Sequence, residues 1–494
     1  MPVVSAATNS TSADAARPPV RALDLAILVA LELAFAAGVI LYADRTPADP
    51  DRHFHFAVAR AWATTGLAKT LPAVEGIGWH QEYVDKEFLF HVVTWLGWEA
   101  GERTGVVVAS GLLGALVVAL LYALSRRALP PLPAGLVVAA AVSCPMFLYR
   151  LALVRPHLLA IATTLLLLWA VLRRSWPWTL VAGALFALAY HALYVPLAVL
   201  GLAAVLLGRP AWRAVTAGIA GLALGTVANP FFPATLETTW MTLSIAASKP
   251  EGNTFGGELF PITFEELRTL YVVPAVMALA SVALLARGRH VAGLRERAVP
   301  VALAVLFWAL TLRTARASEY AIPFTAVAFA TVAAREQVRW VVVALVAGLA
   351  VNAPLLWRSS RETQLDRYTK RIVDAVQALP PEAAGKKVLN CSFTEGEVVL
   401  DLRPDVRVVD VLDPTYLERF DRERHLARLR LIDGTAVDVR SLVVDTFGAD
   451  YVICGYLPAR TRLDDSPDFV RLRPPPGPPL PLGSGPYVYA VRPR

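Results

Sequence analysis

The chain has 494 residues, of which 56% are hydrophobic and only 18% charged, and its mean hydropathy is +0.51. That is too apolar for a soluble multidomain protein and marks an integral membrane protein. The net charge of +7 would point to nucleic acid in a soluble chain. Here the excess sits in helix ends and loops, and no basic run with interleaved aromatics occurs, so no nucleic-acid partner is expected.

Residues 1–20 are polar and rich in Ala, Ser and Thr, and read as a disordered cytoplasmic tail. Apolar runs of spanning length then predict about eleven transmembrane helices, at roughly 22–42, 104–125, 131–149, 157–172, 177–190, 191–207, 213–228, 268–287, 298–313, 318–334 and 339–357. The first is too long, and too poor in small residues at its end, for a removed signal peptide, so it is read as a retained anchor. Arg17, Arg21, Arg126, Arg127, Arg173, Arg174, Arg209, Arg213, the 287–297 loop, Arg335 and Arg339 all fall on one side. Positive charge of this kind marks the cytoplasmic side. The expectation is an α-helical polytopic protein of the bacterial cytoplasmic (inner) membrane. Its N-terminus is inside, and a transmembrane domain over 21–360 carries external loops at 43–103 and 229–267.

In the first loop, Phe54, Phe56, Ala57, Val58, Ala61 and Trp62 recur at helical spacing, which predicts an amphipathic helix over 52–65 lying along the membrane surface. The run from Glu87 to Leu96 begins a further helix at the bilayer edge. The second loop opens with Asn229-Pro230-Phe231-Phe232-Pro233, whose prolines stop the preceding helix, and Gly252, Gly256 and Gly257 loosen its tip. Beyond Arg361 the composition becomes that of a soluble module. Strand-like runs at 387–390, 406–409, 451–454 and 487–490 alternate with helical stretches at 366–378, 414–430 and 437–447, predicting a small external α/β domain over 361–494 with a Pro- and Gly-rich loop at 474–486. No internal repeat of the inverted-transporter kind is present. Cys144 lies in a predicted helix. Cys391 and Cys454 fall in the external domain, where an oxidising compartment would allow pairing, and the sequence leaves that open. The absence of CxxC or Cys/His metal spacing speaks against a structural zinc site.

The polar residues at the membrane edge fall on the external face. Asp49-Pro50-Asp51 could hold a divalent cation, magnesium or manganese, against a lipid phosphate, or one acid could serve as general base. The plain alternative is a solvated loop in which Asp51 caps the following helix. Glu87 is either a catalytic carboxylate or a helix-start acid favoured by the dipole. His55 and His91 are either substrate contacts or ordinary interfacial histidines. Arg150, Arg155 and His157 occupy an external turn, where the arginine fork suits phosphate but also snorkels to headgroups. Arg313 and Arg316, outside against the positive-inside tendency and beside Glu319, point to an ordered arginine–carboxylate network, which could be purely structural. His191 and Asn229, at external helix ends, complete the set.

This order of features resembles the GT-C superfamily of polytopic glycosyltransferases. More narrowly it resembles a family of largely uncharacterised bacterial polytopic membrane proteins with a GT-C-like plan. Asp49-Pro50-Asp51 with His55 matches that family's opening string, Lys86-Glu87-Phe88-Leu89-Phe90 its second, Arg155-Pro156-His157 its third, Asn229-Pro230-Phe231 its fourth, and Arg313 to Pro323 its fifth. Lys86 replaces a family histidine, Glu395-Gly396-Glu397 stands where G-G-Y would, and Asp410-Val411-Leu412 lacks the arginine of D-x-R. The resemblance implies a polyprenyl-phosphate-linked sugar donor, Asp51 as base or metal ligand with Asp49 assisting, and Arg155, Arg313 and Arg316 on the donor phosphate.

The expected function is therefore transfer of a sugar from a polyprenyl-phosphate carrier to an unidentified acceptor at the outer face of the membrane. Two readings from other classes remain open. A lipid or solute transporter would place charges near the bilayer midplane, whereas these lie at the edges. A non-catalytic assembly or sensor protein would act through the 361–494 domain.

Overall fold

The computed structural model describes residues 22–43, 49–248, 257–288, 293–333, 338–359, 364–412, 414–473 and 486–493. The predicted tail at 1–20, Arg335 and nearly all of the 474–486 loop lie outside them, as do Gly252 and Gly256.

The helices in chain order are α1 (Ala22–Ala43), α2 (Asp51–Thr65), α3 (Phe88–Arg126), α4 (Pro131–Val142), α5 (Pro145–Leu151), α6 (His157–Leu172), α7 (Trp176–Ala189), α8 (Tyr194–Leu207), α9 (Trp212–Ala228) and α10 (Ala234–Ser248). There follow α11 (Phe264–Leu270), α12 (Val272–Arg287), α13 (Leu294–Thr311), α14 (Ser318–Ala333), α15 (Val338–Ser359) and α16 (Gln364–Gln377). Among the described residues four apolar stretches, 22–42, 88–126, 209–228 and 339–359, are long and apolar enough to cross a membrane. Two expected single spans are broken. The 131–149 run bends by 85° between α4 and α5, where Pro145 follows Cys144, and the 268–287 run bends by 91° between α11 and α12. Each break sets a short helix across the bundle. The runs expected from 87 and from 104 are two helices, labelled together as α3, that meet at a kink at Gly101–Glu102, where the backbone leaves the helical region and Glu102 takes φ 50°. Helices α7 and α9 approach closely because Gly221 and Gly225 lie against the carbonyls of Leu180 and Ala184, a contact any Cβ would block.

The C-terminal unit is a five-stranded mixed sheet of order β2-β1-β3-β5-β4, with β1 (Lys387–Asn390), β2 (Arg407–Val408), β3 (Tyr451–Cys454), β4 (Phe469–Arg473) and β5 (Tyr487–Val491). β1 runs parallel to β2 and β3, and β5 is antiparallel to β3 and β4. Helices α17 (Phe393–Leu402), α18 (Pro414–Phe420), α19 (Arg422–Ile432), the single turn α20 (Val439–Ser441) and α21 (Leu457–Asp465) cover it. Strand β4 and helices α17 and α21 were not expected. Cys391 and Cys454 form a disulfide joining the ends of β1 and β3, which settles the pairing left open by the sequence.

Among the described residues there are two large apolar cores and a small third one, in which Phe56 and Ala59 of α2 meet Phe90, Val106 and Val154. One large core is the helical bundle. The other joins the sheet unit to the first loop: Phe54, Val58 and Trp62 of α2, with Leu71, Val74, Ile77 and Trp79, pack with Val398, Val408, Leu417 and Val452. Helix α2 was expected on the membrane surface. Its apolar face instead lies against α17, because a ready-made protein surface removes more of that face from water. The loop also adds to the sheet edge, where Val74 bridges Val408 and Glu75 takes ion pairs from Lys387 (2.7 Å) and Arg407 (2.6 Å).

Candidate active site

Asp49 and Asp51 stand at the start of α2. Pro50 is its N-cap and no side chain caps the helix, so Asp51 is free of the capping role that the plain reading gave it. Arg155, from the turn between α5 and α6, donates Nε to Asp49 Oδ2 (2.7 Å) and Nη2 to Asp49 Oδ1 (2.5 Å), and the same Nη2 lies 3.0 Å from Asp51 Oδ2. The guanidinium thus occupies the space between the two acids in which a cation was expected.

A second carboxylate gathers the arginines. Glu258, which the sequence reading passed over, receives Arg150 (2.5 Å), Arg155 (3.2 Å) and Arg316 (3.2 Å). Arg150 also donates to the buried Glu319, and its carbonyl faces His157 Nε2 at 2.8 Å. Arg316 donates to the Tyr190 hydroxyl (2.9 Å). Arg313 is exposed and shows no side-chain bond to this network among the described residues.

The next layer inward is built on α2 and the start of α3. Glu87 is the N-cap of α3 and His91 lies in its first turn, and His55 of α2 meets them, its Nδ1 2.9 Å from His91 Nε2. Asp85 closes the other side, with Oδ2 2.6 Å from His91 Nδ1 and Oδ1 accepting from the Glu87 amide (2.7 Å). His191 Nδ1 lies 3.6 Å from Glu87 Oε1. Lys86, Tyr190, His191, Asn229 and Thr235 line an adjoining cleft. The carboxamide oxygen of Asn229 accepts from the Phe231 amide (2.9 Å), which holds the proline-rich turn at the cleft wall.

The electrostatics of the two layers differ. Burial raises the Asp51 carboxyl, Arg155 opposes that, and the Asp49 and Glu258 charges reinforce it, so Asp51 is pushed up to about 7. Burial would also raise Glu87, but His191 beside it and the Lys86 charge outweigh that and hold Glu87 well below the usual range. His191 is pushed down to about 4 by burial and by Lys86. Glu258 stays ionised because three arginines overcome its desolvation.

The C-terminal unit reaches this site through α17. Asp401, fully buried, pairs with His53 (2.7 Å) of α2 and with Arg103 (2.8 Å), while Arg60 donates to the carbonyls of Asp401 and Leu400 (2.7 and 2.9 Å) at the helix end. Glu397, one turn earlier, is buried, accepts from the Leu412 amide (3.1 Å), and has its carboxyl raised by burial and by the charges of Asp51 and Asp49. Gly396 is required because any Cβ there would meet the Asp410 carbonyl. The arginine missing beside Asp410 is supplied by Arg428 of α19, 2.5 Å from Asp410 Oδ2. Sequence reasoning missed Glu258, Asp85, Tyr190 and Glu397. Only Asp85 carried a local signal, two residues ahead of a helix-start acid and six ahead of a histidine.

No family model matches the sequence, and no curated protein does. Solved structures do. The oligosaccharyltransferase AglB of Archaeoglobus fulgidus, in complex with an inhibitory peptide and a dolichol-phosphate, aligns with a TM-score of 0.63 at 10% identity over 87% of this chain and 69% of its own. The same enzyme in complex with zinc and sulfate gives 0.57 at 11% identity over 86% and 67%. ArnT of Cupriavidus metallidurans, bound to undecaprenyl phosphate, gives 0.55 at 15% identity over 95% and 99%. The chain has the fold of the GT-C glycosyltransferases.

Proposed function

We propose that this membrane protein transfers a sugar from a polyprenyl-phosphate-linked donor to an acceptor at the outer face of the cytoplasmic membrane. The observation that carries the reading is Asp51: a carboxylate at a helix start, set against Arg155 and beside a network of three arginines, with its pKa pushed up to about 7 by burial. A base works best when its pKa lies near the operating pH. The acceptor hydroxyl gives its proton to Asp51 as its oxygen bonds to the anomeric carbon. The bond from that carbon to the phosphate oxygen breaks, and its electron pair stays on the phosphate. Arg316, one-third exposed beside the cleft-lining Tyr190, meets that developing charge, and Lys86 supports it from the cleft wall. The neighbours' complexes with dolichol-phosphate and undecaprenyl phosphate support a lipid phosphate as the donor's carrier.

The test is saturable binding of undecaprenyl phosphate to the purified chain, followed by transfer from its sugar-linked form. Arg316→Ala should lose binding. Asp51→Asn should keep binding and lose transfer. Turnover retained by Asp51→Asn removes it from the role of base, and wild-type protein that binds no lipid phosphate refutes the reading.

A further inference from the structure

Six carboxylates, Asp49, Asp51, Asp85, Glu87, Glu258 and Glu319, stand in the two layers of the site. Against them stand three guanidinium groups and the Lys86 ammonium. Among these groups the acids exceed the cations by two, an odd balance for a pocket proposed to receive a phosphate.

We infer that His55, Glu87 and His91 hold a divalent transition-metal ion of the zinc class. The three residues present one ligand atom each, and all of these lie within 4.8 Å of one another. His55 and His91 are each 1% exposed and Glu87 6%. His91 is oriented as metal-bound histidines are: Asp85 fixes its Nδ1 at 2.6 Å and leaves Nε2 facing His55 and Glu87. The same Asp85 holds the Glu87 backbone, so one carboxylate sets two of the three ligands. Nitrogen atoms on a tetrahedral zinc ion are about 3.3 Å apart. His55 Nδ1 and His91 Nε2 are 2.9 Å apart, so the rings need part by only about half an ångström. Two imidazoles and a carboxylate suit zinc or cobalt, whereas magnesium and calcium prefer oxygen throughout. Arg155 already fills the space between Asp49 and Asp51, which makes the histidine layer the better cation site.

Three protein ligands leave a fourth position open. Glu87 lies 3.6 Å from His191, which lines the cleft, so the proposed ion stands beside the cleft wall. On the transferase reading, the ion takes an oxygen of the donor phosphate there and stabilises it as it leaves. The donor set itself stands without that reading.

The full-length, detergent-purified chain, stripped with chelator, is titrated with cobalt(II) and zinc(II), following visible absorption and metal content per chain. One equivalent is expected in wild type, unaffected by excess magnesium. His55→Ala and His91→Ala should lose it, and Asp85→Asn should weaken it about 10- to 100-fold. Asp49→Asn and Asp51→Asn should keep it. Absence of cobalt and zinc binding in wild type overturns the proposal, a result that needs no variant to fold. So does a metal kept by His55→Ala and His91→Ala, or lost only in the Asp49 and Asp51 variants. No turnover is read here, so failure leaves the lipid-phosphate and Asp51 tests standing.

Discussion

Replacing Arg155 with methionine keeps the length of the side chain and removes one charge shared by three carboxylates. The guanidinium lies 2.5 Å from Asp49, 3.0 Å from Asp51 and 3.2 Å from Glu258. At an effective dielectric near 20, each such contact is worth roughly 5 kcal/mol before desolvation. Leaving buried charges without their partner costs about 3–5 kcal/mol net. The cost should depend on pH, with a definite sign. Without Arg155, the Asp51 carboxyl rises further and Glu258 loses part of what holds it low. A carboxyl raised in the folded state favours folding below its unfolded pKa, and that contribution is lost as pH rises through the folded value. The variant should therefore be weakest at pH 8 and recover toward pH 5, regaining about 1.4 kcal/mol per pH unit for each carboxyl that titrates. Apparent melting temperatures of variant and wild type in one detergent at pH 5, 7 and 8 measure this. A deficit that is constant with pH, or that grows toward acid, refutes the network as described.

Three further outcomes follow from the geometry. Transfer should rise with pH along a limb of apparent pKa about 7, reporting Asp51 ionisation, and Arg155→Met should move that limb upward by about 1–3 units. Asp401→Ala strips His53, Arg60 and Arg103 of their common partner, and should loosen the C-terminal unit by about 3–5 kcal/mol. Limited proteolysis near 379–386 would show this as faster cutting; an unchanged rate would mean that apolar packing alone holds the unit. Cys391→Ala with Cys454→Ala opens a link across 63 residues, worth about 4 kcal/mol on the chain-entropy account. Reductant should lower the melting temperature of wild type and leave the double variant unchanged.

Much of this was legible in the sequence because it is carried by local pattern. The apolar runs, the break at Asn229-Pro230, the helix over 52–65 and strands β1, β3 and β5 all announce themselves through periodicity or proline. Asp49, Asp51, Glu87, Arg150, Arg155 and Arg316 stand out in the sequence for a physical reason: charges are costly at a bilayer edge unless they pair or act. What sequence could not show was who pairs with whom. Asp49 and Asp51 read as a cation site until Arg155, more than a hundred positions away, is seen lying between them. Glu258 sits in a loop whose composition gives no hint of three arginines converging on it. Helix α17 hid because its buried face is made of Glu395, Glu397 and Asp401 beside valines, so its outline is not amphipathic in the usual sense. The bends at Pro145 and Tyr271 were likewise invisible, because hydropathy counts apolar residues and not the direction in which they run.

The seating of the 51–83 loop against β2 and α17 carries a rule of parity. Two segments that touch must lie on one side of the bilayer, so the chain must cross an even number of times between α2 and α16. A single helix that failed to insert, or inserted once too often, would strand Asp51 and Asp401 on opposite faces of the membrane. The halves of the site are made at opposite ends of translation, so their meeting proofreads every crossing in between.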